Sequence, residues 1–112
     1  MATITQQNAP GDTLQVFLSR ISGIRSQIQR LTLFGSRARA DWRVDSDYDL
    51  LVVVPIRTQA IEDVLYDAVI ETLLTTGRLV SLKIFTSSDY ERLNRLSTPF
   101  MRRIQAEGVP LG

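Results

Sequence analysis

The chain has 112 residues, of which 44% are hydrophobic and 22% charged, so it can bury the core of one compact domain and is not disordered throughout. Its 13 basic and 12 acidic side chains leave a formal charge of +1, which is too small for binding driven mainly by nucleic-acid phosphates. Because the chain contains neither Cys nor His, disulfides, thiolate metal sites and Ser-His-Asp triads are excluded, and carboxylate and hydroxyl chemistry remains.

The first residues predict a mobile leader over 1–11, which is polar, contains Pro10 and Gly11 and has no apolar period. This start lacks the basic and apolar regions of a signal peptide, and no apolar run approaches the roughly 20 residues of a membrane helix. We therefore expect a cytoplasmic protein without membrane contact, in which residues 12–112 form a single domain.

An amphipathic helix is predicted next, with Asp12 as its N-cap and an end near Arg30. Its apolar residues recur at steps of three and four: Leu14, Phe17, Leu18, Ile21, Ile24 and Ile28. Two apolar runs then predict buried strands, one over 31–34 that stops at Gly35 and one over 50–54 that stops at Pro55.

The rest of the chain predicts three helices and one strand. A long helix covers 58–76, where Gly77 can serve as the glycine that follows its end. A strand over 79–85 precedes a short helix that begins at 87 or 88 and ends at 93 or 96, and Pro99 opens a last helix that ends at about 107. Strands separated by helices indicate an α/β fold with helices packed on a sheet.

A glycine turn after the first strand is the first feature that indicates a binding function. Gly35 and Ser36 precede a short helix predicted from Arg37 to about Trp42, so backbone N–H groups and the Ser36 hydroxyl can face an anion. The ordinary alternative is a tight turn with an N-cap serine. The spacing matches neither the dinucleotide-binding nor the P-loop motif, so a phosphate would have to be held differently.

A pair of carboxylates stands at the entrance to the second strand. Asp47 and Asp49 flank Tyr48, and side chains two apart on a strand share a face, so the pair can share one Mg²⁺. The alternative is a solvated turn over 45–47. The combination of Gly-Ser, ten residues, Asp-x-Asp and an apolar run is far more specific than either half.

This combination resembles the minimal nucleotidyltransferase (MNT) domains of the nucleotidyltransferase superfamily, which carry the motif G-S-x10-D-x-D. Gly35, Ser36, Asp47 and Asp49 match the motif, and the resemblance covers roughly residues 31–112. It implies a nucleotidyltransferase-like α/β fold with a small mixed sheet. It also implies that Gly35 and Ser36 hold the phosphates of ATP or another nucleoside triphosphate, and that Asp47 and Asp49 are catalytic and bind Mg²⁺.

The resemblance further implies a protein partner. MNT domains of this size are often the antitoxin of a pair with a HEPN-domain ribonuclease, and some transfer AMP from ATP to a tyrosine of that toxin. We therefore expect a nucleoside triphosphate substrate, a HEPN-type protein partner that supplies the acceptor hydroxyl, and no direct contact with nucleic acid.

Two arginines follow the glycine turn. Arg37 and Arg39 lie where guanidinium groups can bind the β- and γ-phosphates of a triphosphate, and Arg39 is the preferred candidate. The alternative for both is a solvated helix face. Ala40 stands where the family often has glycine, and Trp42 can contact a base, contact a partner or simply pack.

The chain departs from the family at the third carboxylate, which active members carry in a V-D-L-V-V pattern. Ser81 occupies the aspartate position here, and Lys83 is two residues further on the same face. A neutral serine cannot bridge two metal ions, and an ammonium group disfavours a second cation although it can contact a phosphate. We therefore expect one Mg²⁺ rather than two. Alternatively, Lys83 reaches into solvent from an edge strand.

Two functions remain open at this point. The complete G-S-x10-D-x-D set favours an enzyme that transfers a nucleoside monophosphate to a partner protein. The replacement of the third acid by Ser81 favours a catalytically silent domain that binds nucleotide or masks a toxin. A polymerase or a tRNA-modifying enzyme is the least favoured reading, because the chain lacks a basic surface and further domains.

Overall fold

The protein forms a four-stranded sheet with helices on both faces, which confirms the predicted α/β fold. The computed structural model describes residues 10–39 and 46–111. Its elements in chain order are α1 (Pro10–Arg20), a 3-10 helix (Ser22–Gln27), β1 (Arg30–Phe34), a 3-10 turn (Gly35–Arg37), β2 (Tyr48–Val54), α2 (Gln59–Thr76), β3 (Val80–Thr86), α3 (Ser87–Leu96), α4 (Pro99–Glu107) and β4 (Val109–Pro110).

The sheet is mixed and has the strand order β3-β2-β1-β4. Strand β2 runs parallel to β3 and antiparallel to β1, while β4 pairs antiparallel with β1. A parallel pair needs a long crossover, and α2 supplies it between β2 and β3. The short strand β4 was not predicted. It follows Gly108 and pairs Val109 with Leu33.

The first helix differs from the prediction at both ends. Helix α1 begins at Pro10, so Asp12 lies inside the helix rather than at its N-cap, and it ends at Arg20 instead of near Arg30. The chain then tightens into the 3-10 helix, which begins with Ser-Gly, two residues of low helix propensity. Residues 1–9 of the predicted leader lie outside the described residues.

The later helices follow their predicted bounds closely. A threonine caps each N-terminus, because the hydroxyls of Thr58, Thr86 and Thr98 accept hydrogen bonds from the third residue after each. Gly77 ends α2 in the left-handed region with a φ of 74°, and Pro99 is the first residue of α4. These local signals confirm the three helices predicted after β2.

Strand β2 divides the molecule into two cores. Side chains alternate along a strand, so Tyr48, Leu50, Val52 and Val54 face the main core. Leu51 and Val53 face the smaller core, which also contains Ile104, with Phe34, Phe85, Tyr90 and Phe100 packed around it. Asp49 belongs to this second face by the same alternation. Among the helices within the described residues, none has the length and apolar character needed to cross a membrane.

Candidate nucleotide site

The two aspartates lie where β2 begins. Asp47 is exposed just before the strand, and Asp49, the second residue of the strand, is partly buried. Asp49 has Phe34 beside it on β1 and Ser81 beside it on β3. The pair therefore lies at one end of the sheet, on the face that carries the smaller core.

The Gly-Ser turn lies directly against the second aspartate. Gly35 has a φ of +75°, and a Cβ atom there would lie 2.4 Å from Oδ2 of Asp49. Only glycine permits both this left-handed backbone and this close approach. The structure thus brings together the two halves of the sequence motif, the turn and the carboxylate pair.

The turn itself is tighter than predicted. A 3-10 turn covers Gly35–Arg37, and Ala38 and Arg39 follow it without helical structure, so the helix predicted from Arg37 is absent over the described residues 37–39. The amide of Ala38 donates to the carbonyl of Gly35 at 3.0 Å, and the amide of Arg39 donates to the carbonyl of Ser36 at 3.1 Å. These hydrogen bonds fix the backbone around Ser36. Residues 40–45, with Ala40 and Trp42 among them, lie outside the described residues.

The electrostatics of the aspartate pair suit a bound cation. The pKa of Asp49 is raised, first because burial penalises its charged form and second because Asp47 repels it, while the positive charge of Lys83 acts in the opposite direction. A cation between the carboxylates would relieve this repulsion, and Mg²⁺ prefers such oxygen ligands. The described residues contain no group of three or more His, Cys, Asp or Glu side chains placed to hold a metal.

Ser81 and Lys83 occupy the neighbouring edge strand. Ser81 pairs in register with Asp49, and Lys83 pairs with Leu51. Because alternate residues share a face, both side chains lie on the same side of the sheet as Asp49. Ser81 is partly buried and Lys83 is exposed. A hydroxyl group therefore stands directly beside Asp49, and an ammonium group follows two residues further along β3.

The two predicted phosphate-binding arginines make contacts that the sequence did not indicate. Arg37 is buried, its guanidinium lies 4.3 Å from the ring centroid of Tyr48, and its Nε donates to the carbonyl of Ser46 at 3.1 Å. Arg37 thereby joins the glycine turn to the residues that lead into β2. Arg39 forms an ion pair with Glu107 at the end of α4, with Nη1 and Oε1 3.3 Å apart.

A separate cleft of about 310 Å³ lies at the other end of the same sheet face. Its lining includes Arg30, Ser87 and Tyr90, and the Arg30 guanidinium lies 5.2 Å from the Tyr90 ring centroid. Arg30 begins β1, whereas Asp49 pairs with Phe34 at the end of that strand. The aspartates do not line this cleft, so the candidate site is a distinct part of the surface.

Known proteins share this fold, and one family model matches most of the chain. A family model described as a nucleotidyltransferase domain matches residues 16–104. The structure of a candidate nucleotidyltransferase from Sulfolobus solfataricus superimposes with a TM-score of 0.52 and 16% identity, over 98% of this chain and 86% of that one. A crystal structure of a toxin-antitoxin with AMP-PNP gives a TM-score of 0.55 and 15% identity, over 88% of this chain and 71% of that one. At these identities the two structures show a common fold, and no curated protein matches the chain.

Proposed function

Because the chain belongs to the nucleotidyltransferase domain family, we propose that it transfers a nucleoside monophosphate, AMP from ATP, to a hydroxyl group of a partner protein. The observation that supports this proposal most strongly is the approach of Gly35 to the Asp49 carboxylate. A turn suited to phosphate directly beside a carboxylate pair suited to a cation is the arrangement that a magnesium-bound triphosphate requires.

Each part of the site has a role in this proposal. Asp47 and Asp49 would hold one Mg²⁺, which, when bound, neutralises charge on the triphosphate. Gly35 leaves room for the Asp49 carboxylate beside the turn, and the Ser36 hydroxyl and backbone donate hydrogen bonds to phosphate oxygens. Arg39 lies next to this turn and would contribute its guanidinium to the leaving pyrophosphate.

The proposed reaction is an in-line displacement at the α-phosphorus. The acceptor hydroxyl oxygen forms a bond to that phosphorus, the bond from phosphorus to the bridging oxygen breaks, and pyrophosphate leaves with the electron pair. The hydroxyl proton passes to water, because Ser81 provides no carboxylate to accept it. Such a step depends on positioning and charge neutralisation more than on a side-chain base.

For the partner, we propose a HEPN-type toxin, with this chain as its antitoxin. One fact supports this assignment: a toxin-antitoxin structure with AMP-PNP shares the fold. A gene for a small helical protein adjacent to the gene for this chain would identify the partner to be tested.

The test is transfer of label from α-labelled ATP and Mg²⁺ to the purified partner protein. We expect one labelled band with the wild type, no band with Asp49→Asn, and an unchanged band with Asp67→Asn, a matched change on the outer surface of α2. γ-Labelled ATP should label nothing, because the γ-phosphate leaves with pyrophosphate. Labelling that persists in Asp49→Asn, or that also appears with γ-label, contradicts the proposal.

The second candidate function is a catalytically silent domain that binds nucleotide or masks its partner. The register of Ser81 beside Asp49 favours it, because the position that would add a third carboxylate is neutral. If the chain is such a silent domain, Asp49→Asn inhibits the partner toxin as well as the wild type does, and neither protein transfers label. Measuring toxin activity and label transfer on the same two proteins separates the candidates.

A further inference from the structure

Lys83 is the one lysine in the chain. The other 12 of its 13 basic residues are arginines. This single amine lies on the edge strand β3, two residues after the serine that pairs with Asp49. Every other basic side chain is an arginine, whose guanidinium group is planar. The ammonium group of Lys83, beside the candidate site, is instead a compact point charge.

The position of Lys83 gives its ammonium access to a ligand at the aspartates. Strands β2 and β3 are parallel; with strands about 4.8 Å apart and a rise of about 3.3 Å per residue, Lys83 and Asp49 are diagonal neighbours roughly 8 Å apart. This distance is within the reach of a lysine side chain. The charge of Lys83 acts on the Asp49 carboxylate. The side chain is exposed, and among the described residues no salt bridge engages it, whereas Arg20, Arg39, Arg57 and Arg92 each pair with an acid.

Building on the proposed function, we propose that the ammonium of Lys83 binds a phosphate oxygen of the triphosphate and takes the place of a second metal ion. The charges support this substitution. Three carboxylates with two Mg²⁺ ions carry a net charge of +1, and two carboxylates with one Mg²⁺ and one ammonium also carry +1. A site with Ser81 and Lys83 therefore offers a triphosphate the same net charge as a two-metal site with three acids.

A lysine that binds phosphate should have an effect on nucleotide affinity that a purely structural lysine would not have. A covalently attached cation attracts phosphate whether or not metal is present, so part of the nucleotide affinity is independent of Mg²⁺. A lysine that only moderates the charge of Asp49 would instead act through Mg²⁺, and removing it would leave the metal-free affinity unchanged. Nucleotide binding with and without Mg²⁺ therefore distinguishes the two roles.

The decisive measurement uses the single lysine as a spectroscopic probe. Reductive methylation with ¹³C-formaldehyde places two labelled methyl groups on Lys83 and keeps its positive charge, and the α-amino group of the chain gives the one other signal. We expect AMP-PNP to shift the Lys83 methyl resonance both with Mg²⁺ and without it. Lys83→Arg lacks this resonance and therefore assigns it.

Titration calorimetry with AMP-PNP tests the same contact through the affinities of variants. Lys83→Met should weaken binding about tenfold or more with and without Mg²⁺, as expected for loss of a charged hydrogen bond. Lys83→Arg should stay within about threefold of the wild type, because it keeps the positive charge that attracts the phosphate. Arg95→Met, which removes an exposed charge on α3, should bind like the wild type.

Three outcomes overturn the inference in distinguishable ways. If the wild type binds AMP-PNP while the Lys83 resonance does not move and Lys83→Met binds with unchanged affinity, the role of Lys83 is wrong and the proposed function stands. If the wild type does not bind AMP-PNP at all, the proposed function fails and the role of Lys83 fails with it. Equal losses in Lys83→Met and Lys83→Arg with an unmoved resonance would indicate a structural role and also overturn it.

Discussion

Gly35 and Gly77 share a positive φ, +75° and +74°, yet a Cβ on Gly77 would have open space around it while a Cβ on Gly35 would meet the Asp49 carboxylate. Alanine should therefore cost each position about 1–2 kcal/mol in backbone strain. Only Gly35→Ala should also displace Asp49 and weaken the binding of Mg²⁺ with AMP-PNP. Urea denaturation measures the first effect and titration calorimetry the second.

Gly77→Ala is the control for Gly35→Ala, because it introduces the same backbone strain away from Asp49. If Gly77→Ala loses as much nucleotide affinity as Gly35→Ala, the loss reflects general destabilisation rather than contact with Asp49. If neither variant loses affinity, the glycine turn does not form part of a nucleotide site.

The charge on Asp49 should lower the stability of the metal-free protein. Its pKa is raised by burial and by Asp47, so the folded state holds this proton more tightly than the unfolded chain, where the pKa of an aspartate is about 3.9. Stability is therefore lost as the pH rises from the unfolded pKa through the raised folded pKa. Asp49→Asn should be more stable than the wild type at pH 7 without Mg²⁺.

The difference between the two proteins should shrink as the pH falls from the raised folded pKa of Asp49 toward about 4, and should stay constant below that pH, where the unfolded carboxyl is protonated as well. Urea unfolding at a series of pH values, in the presence of a chelator, measures it. Asp67→Asn on the exposed surface of α2 is measured alongside as the matched control for an aspartate-to-asparagine change. A variant Asp49→Asn that is less stable than the wild type at pH 7 would contradict the prediction.

At the scale of elements, α4 is tied to the glycine turn through the ion pair of Glu107 with Arg39. Both side chains are about one-third exposed, 35% for Arg39 and 39% for Glu107, so solvent screens the pair and Glu107→Gln should change stability by less than about 1 kcal/mol. If Arg39 binds phosphate, Glu107→Gln should strengthen AMP-PNP binding and Arg39→Met should weaken it. Unchanged affinity in both variants would remove Arg39 from the site.

The elements that the sequence predicted well are those with local signals. Helix α2 has a capping threonine at Thr58 and a left-handed glycine at Gly77, and α4 has Pro99 in its first position. The end of α1 had no such signal, because Ile21 and Ile28 remain buried and so continue the apolar spacing through the 3-10 helix. Strand β4 is only two residues long and forms by pairing with distant β1, so no local pattern could predict it.

Within the candidate site, too, some features could be predicted from the sequence and others could not. The spacing of Gly35, Asp47 and Asp49 matched a family motif, and the structure places Gly35 directly against the Asp49 carboxylate. The contact of Arg37 with Tyr48 and the pairing of Arg39 with Glu107 depend on how the chain folds back on itself. The pairing of Ser81 with Asp49 likewise depends on strand register, and it was expected from a family resemblance rather than from spacing.

At the scale of the whole molecule, the candidate site draws on three separate stretches of chain: the turn after β1, the start of β2 and the middle of β3. A ligand that contacts all three connects neighbouring strands of the single sheet. Binding should therefore stabilise the molecule as a unit, because unfolding of any one of these strands would dismantle the site.

Because the ligand would contact all three stretches, we expect its binding to raise the melting temperature substantially. A ligand at 100 times its Kd adds about 2.7 kcal/mol to the stability of the folded state, which for a domain of this size raises Tm by roughly 10 °C or more. Mg²⁺ with AMP-PNP should produce such a rise in the wild type and in Asp67→Asn, and a clearly smaller rise in Asp47→Asn, where the metal-independent part of the affinity remains. Differential scanning calorimetry measures it. A wild-type Tm that nucleotide leaves unchanged would mean that the sheet edge does not bind nucleotide, and the chain would then act on its partner by masking alone.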